Sequence, residues 1–297
     1  MAHWLMQLGT DPAKALVRLM ADGVIETSAA ATINAFARSL HHIRHGRAMF
    51  GVVGVGGAGK SSFARVISGQ AALHELPVEY ESDLTEERSE FRDTQFLQLL
   101  TIAGQDTLAT RGHRSIAKEL KKLKRLVLVN IVTYGHSAPP RTMTQSQFER
   151  FGGIEGASLA QLAKDYFRKQ RVQEELHVHQ LARALSADSD AARSTRVIFL
   201  TVILKQDLWW DDRQAVFDHY TDPESSYAKG VAAVGEVFGG FELSEVVSLS
   251  LHPLNLMLAD GAVLRQTCAG YDRRAVELNW INTVSRFAEL REWASKG

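Results

Sequence analysis

The sequence predicts a three-layer α/β domain, with a central, mostly parallel sheet covered by helices on both faces. Three features carry this expectation. Strand-length runs recur that are apolar throughout, helix-period patterns separate them, and a glycine-rich loop joins the first such run to the next helix. Continuous apolar runs suit parallel strands buried on both faces, where alternation would suit a half-solvated sheet. Regular alternation of strand and helix suits crossovers within one sheet.

The strands are expected at 48–54, 96–102, 126–133, 196–204 and 246–251. Two helices are expected before the first strand. Asp11-Pro12 offers a cap and a first-turn proline, and Leu16, Leu19 and Met20 follow at helical spacing. A second helix over 28–45 gathers Ile33, Phe36, Ala37 and Leu40 on one face. Residues 1–46 thus read as an N-terminal helical extension, and 47–297 as the main domain. Glu75–Asp93 is acidic and polar, and Ser137–Thr195 separates two strands by more than a crossover helix requires. Within the latter, Pro139-Pro140 marks a loop and Ser158-Leu-Ala-Gln161 reads as a capping box. Leu159, Leu162, Ala163, Tyr166 and Phe167 follow on one helical face, so about 137–195 reads as a helical insertion. The last helix, 273–293, carries Trp280, Ile281, Val284, Phe287 and Ala288 and is expected to seal one face of the sheet with them.

Composition narrows the function. The 297 residues are 45% hydrophobic and 23% charged, which excludes a disordered chain or a fibrous repeat. The 34 basic and 34 acidic side chains cancel, which argues against a general nucleic-acid binder. Cys268 is the only cysteine, so no disulfide forms within the chain, in keeping with a reducing compartment. No apolar run reaches the roughly 20 residues of a membrane span. The N-terminal residues lack a signal peptide's basic start and apolar core. A soluble cytoplasmic protein is the resulting expectation.

Gly54-Val-Gly-Gly-Ala-Gly59-Lys60-Ser61 matches G-x-x-x-x-G-K-S/T in full, between an expected strand and an expected helix. Glycines let successive backbone N–H groups turn inward around an anion, and the next helix adds its N-terminal amides. Gly54, Gly56, Gly57, Ala58, Gly59, Ser61 and Ser62 are the candidate phosphate-binding positions. Lys60 would bridge β- and γ-phosphate oxygens, and the Ser61 hydroxyl would sit on Mg²⁺. The same residues contain Gly54-x-Gly56-x-x-Gly59, a dinucleotide fingerprint. That pattern gives no reason for Lys-Ser after the third glycine. A purely structural glycine turn also stays open.

Three further segments follow in order: Thr101-Ile-Ala-Gly-Gln-Asp106, Val202-Ile-Leu-Lys-Gln-Asp-Leu208 and Val247-Ser-Leu-Ser-Leu-His252. With the phosphate loop, they resemble the motifs of Ras-like P-loop GTPases, nearest the ADP-ribosylation-factor-like branch. The resemblance implies a GTP/GDP- and Mg²⁺-binding domain. Asp207 would accept hydrogen bonds from the guanine N1–H and amine, and Lys205 would lay its stem along the base. The Leu251 amide after Ser250 would reach the guanine carbonyl. Gly104 N–H would bind the γ-phosphate, Gln105 would orient the attacking water, and Thr85 would be the switch threonine on the metal. Lys60 and Gln105 would be the catalytic pair. Two positions depart from the family pattern: Thr101 stands where a carboxylate holds magnesium through water, and Leu204 stands where Asn or Thr braces the loop.

These readings make a slow GTPase that switches its surface for a protein partner the leading expectation. A degenerate GTPase holding nucleotide as a structural ligand is the first alternative. A P-loop ATPase or small-molecule kinase is the second. Gly104-Gln105 would also serve as an ordinary strand-end turn, and Asp207 as a helix cap. His41 and His45 are spaced to bridge a metal, but no carboxylate or cysteine stands near them in sequence. Lys118, Lys121, Lys122, Lys124 and Arg125 read as a solvated basic face.

Overall fold

The structure is a computed structural model that describes residues 47–72, 87–91, 94–102, 106–140, 142–152, 157–187 and 189–295. The expected helices of 1–46, Thr85, Gly104 and Gln105 lie outside the described residues.

In chain order the elements are β1 (Arg47–Gly54), α1 (Lys60–Ile67), β2 (Glu87–Phe91), β3 (Thr94–Thr101), α2 (Asp106–Leu120) and β4 (Leu123–Val132). Then come α3 (Gln145–Gly152), α4 (Leu159–Ser186), α5 (Ser189–Arg193) and β5 (Arg196–Ile203). Next are α6 (Gln206–Trp209), a 3-10 turn (Trp210–Asp212), α7 (Arg213–Thr221), α8 (Ser226–Phe238) and β6 (Leu243–Ser248). A short hairpin, β7 (Leu256–Met257) and β8 (Val263–Arg265), precedes α9 (Arg273–Ser295).

Six strands form one sheet in the order β2-β3-β1-β4-β5-β6. β2 runs antiparallel to β3 at one edge, and the other neighbours are all parallel. The two-residue side-chain period of a strand sends neighbouring residues to opposite faces. On β4, Leu126 and Leu128 meet Ile116, Leu181 and Val234 of α2, α4 and α8. Val127 and Val129 turn the other way and join Phe63 of α1 and Phe287 and Leu290 of α9. Both faces are therefore apolar, which is why these strands read as continuous hydrophobic runs. The result is three layers, with the C-terminal ends of the five parallel strands gathered at one rim.

Three local features differ from expectation or sharpen it. β2, Glu-Arg-Ser-Glu-Phe, is polar and sits at the sheet edge, so no apolar run announces it. The Ser158–Gln161 capping box forms, each partner's side chain bonding the other's backbone. The helix it starts, α4, buries Val178, Leu181 and Leu185 in the main core and is itself the β4-to-β5 crossover. On α9 the expected sealing stripe is corrected in part: Trp280 packs on the core and Phe287 enters it as expected, but Ile281, Val284 and Ala288 face solvent. Phe287, Leu290 and Ala294 are buried, whereas Ile281 is 59% exposed and Val284 40% exposed. A count of apolar residues along α9 follows the wrong stripe, because Leu278, Ile281 and Val284 lie together on the solvent side.

Phe287 packs edge-on against Phe63 with ring centroids 5.4 Å apart, and lies 6.2 Å from Phe50. Its replacement by alanine opens a cavity between α9 and the sheet. Phe287→Ala is expected to cost about 3–5 kcal/mol, read as a lower denaturant midpoint with unchanged slope. A loss below about 1 kcal/mol would contradict this packing.

Candidate nucleotide-binding site

The phosphate loop leaves β1 at Gly54, whose φ is 139°. Gly57 follows at φ 72°, and Gly59 caps α1 at φ 95°. These are left-handed or otherwise glycine-favouring conformations. Space enforces the same choice. A Cβ on Gly54 would stand 2.2 Å from the Ile131 carbonyl oxygen, and one on Gly57 would stand 2.3 Å from that of Ala138. Gly59 packs on Leu204, with 3.2 Å from its would-be Cβ to Leu204 Cδ1. Leu204 thus packs on the loop by apolar contact, at the position where the family pattern has a bracing Asn or Thr.

Lys60 opens α1 and is 7% exposed. Its ammonium donates to the Val55 carbonyl at 2.8 Å, folded back over the loop. Ala58 is buried, while Gly56, Ser61 and Ser62 are part-buried at the loop and the first turn of α1. The loop's donors, the α1 N-terminus and this ammonium together form a cradle for a polyanion.

Two contacts fix the cradle to the rest of the rim. The Ala138 amide donates to the Gly57 carbonyl at 3.0 Å. The Lys205 ammonium donates to the same carbonyl at 3.1 Å and to the His136 carbonyl at 2.7 Å. Lys205 adopts φ 58° at the entry to α6, an unusual conformation for a side-chain-bearing residue. Burial pulls its pKa down to about 8, against the attraction of Asp207 and Glu174.

The described strand order, with a glycine cradle between β1 and α1 and the Lys205–Asp207 segment ending β5, decides the architecture. The chain has a three-layer α/β fold with a phosphate loop between its first strand and first helix. No family model matches the sequence, and no curated protein matches it. Solved structures do. The signal recognition particle receptor SRb–GTP/SRX complex of Chaetomium thermophilum is 10% identical over 78% of this chain and 98% of that one, with a TM-score of 0.36. A nucleolar GTP-binding protein 1 of Plasmodium falciparum is 10% identical over 84% and 91%, with a TM-score of 0.34. An ADP-ribosylation-factor-like protein, the small COPII coat GTPase SAR1 of Encephalitozoon cuniculi in complex with GDP, is 11% identical over 75% and 80%, with a TM-score of 0.29. The fold assignment rests on strand order and loop geometry, not on these loose likenesses.

Of the residues expected to read a base, Asp207 and Ser250 bond each other, and Asp207 is shielded. Asp207 is 1% exposed. Its carboxylate accepts from the Ser250 hydroxyl and from the Leu254 amide, the latter at 3.1 Å. Burial pushes the Asp207 carboxyl up, while these donors and Lys205 hold it down. Guanine N1–H would share or displace the position of the Leu254 amide. Leu251, the expected carbonyl contact, is part-buried. The segment after β6 is tied to α6 throughout. Cys268 N–H donates to the Asp207 carbonyl, Arg265 Nε to that of Leu208, and Tyr271 and Asn279 both donate to Gln206 Oε1.

For magnesium the fit is partial. Ser61 supplies a hydroxyl at the start of α1. Thr101, buried at the end of β3, brings no charge where the family pattern has a carboxylate. No group of three or more His, Cys, Asp or Glu side chains suited to a metal exists among the described residues. A magnesium ion here would depend on Ser61, water and the nucleotide's own phosphates.

Sequence reasoning missed the carboxylate that shapes the rim. Glu174 of α4 is 1% exposed and accepts from Thr133 N–H, Thr133 Oγ1 and Gly135 N–H through one oxygen, at 2.9, 2.9 and 3.2 Å. Tyr220 donates to its other oxygen at 2.6 Å, and Tyr134 N–H donates to Tyr220 at 2.9 Å. Burial pushes the Glu174 carboxyl up, and these donors pull it back. The loop so held carries Tyr134 at φ 55° and Gly135 at φ 80°. In sequence, Glu174 looks like any charged residue on a solvated helix face.

A buried histidine pair joins α2 to α4. His113 Nε2 and His177 Nε2 lie 3.4 Å apart, so one donates to the other while both stay neutral. Burial and the nearby Lys60 charge lower His113 to about 4.

Gly57→Ala forces a strained φ and a backbone clash, and is expected to destabilise the protein by about 2 kcal/mol or more in thermal melts; an unchanged midpoint would contradict the loop conformation. For His113, the unfolded chain takes up its proton near 6.5, while the folded chain resists until about 4. The unfolded state therefore binds more protons between those values. Stability is full above the upper value and falls as pH drops through the window, by roughly 3 kcal/mol for this group. His113→Leu should flatten the pH dependence of the melting temperature between those limits. An equally steep dependence in the variant would contradict the buried neutral pair.

Proposed function

We propose that this protein binds a guanine nucleoside triphosphate at the phosphate loop and acts as a slow GTPase switch for a protein partner. One observation carries the reading. The Lys205 ammonium bonds Gly57 of the phosphate loop, joining the phosphate cradle to the segment that bears Asp207. A cradle for phosphates and a carboxylate suited to guanine's paired N–H donors would thus stand on one hydrogen-bonded rim. Adenine offers no such donor pair at that edge.

On binding, Lys60 would leave the Val55 carbonyl for the β- and γ-phosphate oxygens, and the loop amides would close on the same charge. Magnesium on Ser61 would supply further charge neutralisation. Gln105 would orient the attacking water, with Gly104 sensing the γ-phosphate. Thr101 in place of a carboxylate weakens the metal site, so turnover is expected to be slow. The nucleotide state would be read by a partner through the segments that touch the γ-phosphate.

A second reading is favoured by Thr101 and by the shielded Asp207: nucleotide held as a structural ligand without turnover. Calorimetry with GTP and ATP in parallel, with magnesium, tests the main proposal. GTP is expected to bind at least tenfold more tightly than ATP, and Lys60→Ala to abolish binding of both. Equal affinity for the two would remove the role given to Asp207. Tight GTP binding with no phosphate release, unchanged by Gln105→Leu, would replace the switch by the structural-ligand reading.

A further inference from the structure

Between α4 and α7, beside the phosphate loop but separate from it, lies a cavity of about 520 Å³. That volume falls within the range of small-molecule sites, roughly 300–1,000 Å³. Its wall is aromatic. The His136 ring lies 4.6 Å from Phe167 and is stacked at 6.4 Å on Tyr134. Its charge is mostly positive. Lys164, Arg171 and Arg265 line it, against the single carboxylate of Asp212.

These cations are unequally engaged. Arg265 donates through Nε to the Leu208 carbonyl and stands 3.9 Å from Asp212. Arg171 stands over the Tyr134 ring at 4.4 Å, a contact that leaves its N–H donors for another group. Lys164 is exposed on α4 at the edge of the cavity. His136 Nδ1 contacts the Thr133 carbonyl at 3.1 Å. A carbonyl only accepts, so Nδ1 carries the proton and Nε2 keeps its lone pair. Burial lowers His136 to about 3, and the charges of Arg265, Lys205 and Arg171 add to that effect. The same positive field would favour an anion.

The wall is also preorganised. Tyr134 and Gly135 both have positive φ, and a Cβ on Gly135 would stand 2.1 Å from the Phe167 carbonyl oxygen. Glu174 holds this turn against α4 through Thr133 and Gly135. A wall fixed in advance loses little freedom when a ligand arrives. We propose that this cavity binds a small anionic molecule with a flat, unsaturated body. The body would rest against the His136–Phe167 wall, and the anion would meet Arg171 and Lys164.

The site has a route to the phosphate loop. The His136 carbonyl accepts from Lys205 at 2.7 Å, and the same ammonium donates to Gly57 at 3.1 Å. A ligand that shifts His136 therefore shifts a brace of the cradle. This second element rests on the nucleotide-binding proposal, whereas occupation of the cavity does not.

The probe is 2-naphthoate, a two-ring carboxylate, titrated calorimetrically into the full chain. Saturable one-to-one binding is expected. Arg171→Leu and Lys164→Glu should each weaken it at least tenfold, while Lys60→Ala leaves it unchanged. Lys164 is exposed, so its charge reversal tests the site even where Arg171→Leu perturbs folding. No saturable binding, or binding indifferent to Lys164→Glu, would overturn the site. Loss of binding in Lys60→Ala alone would assign the probe to the phosphate loop and also overturn it. Saturating 2-naphthoate should change GTP affinity at least threefold, with the reciprocal change for naphthoate under saturating GTP. Unmoved GTP affinity would overturn the coupling. Failure of GTP to bind at all, with naphthoate still bound, would overturn the nucleotide reading and leave the cavity site standing.

Discussion

The rim of this sheet is organised by one ammonium. Lys205 reaches from the end of β5 to two carbonyls, one in the phosphate loop and one in the loop after β4. Charge-assisted bonds of this kind are stronger than neutral ones, more so where water is partly excluded. The loop they hold is built from conformations that favour glycine, and its neighbours leave no room for a side chain at Gly54 or Gly57. A cradle in such a conformation persists only while its surroundings determine it. Lys205 and the Ala138 amide, meeting at one carbonyl, provide that determination.

Behind this brace lies a second, buried one. Glu174 gathers backbone donors of the loop after β4 and the Tyr220 hydroxyl into one carboxylate. A buried charge is costly unless every lone-pair direction is used. Here four donors meet it, and two of them, with Tyr220, hold the Tyr134–Gly135 turn. The same turn presents His136 to Lys205 on one side and to a cavity on the other. The glycine loop, the Lys205–Asp207 segment and the cavity wall are thus parts of one hydrogen-bonded rim.

Much of this was legible in the sequence where local chemistry decides structure. The glycine-lysine-serine loop is specified by its own residues, and the parallel strands announce themselves because both faces are covered. The Ser158–Gln161 cap is likewise local and forms as read. What escaped depends on partners distant in sequence. β2 is a polar edge strand with only one neighbour. The solvent-facing stripe of Leu278, Ile281 and Val284 masked the true buried face of α9. Asp207 could be found by its motif, but not its shielding, because Leu254 returns to it from beyond β6. Glu174 gives no signal at all, since a glutamate within a long polar helix ordinarily faces water.

The central claim is that the loop from Gly54 to Ser61 is a cradle for a nucleotide's phosphates. The most direct test is a crystal structure of the full chain grown with magnesium and a non-hydrolysable GTP analogue. The account predicts phosphate density within the loop, with Lys60 moved from the Val55 carbonyl onto the β- and γ-phosphate oxygens. Lys60 still bonded to Val55, with the analogue absent from the loop or bound elsewhere, would contradict it.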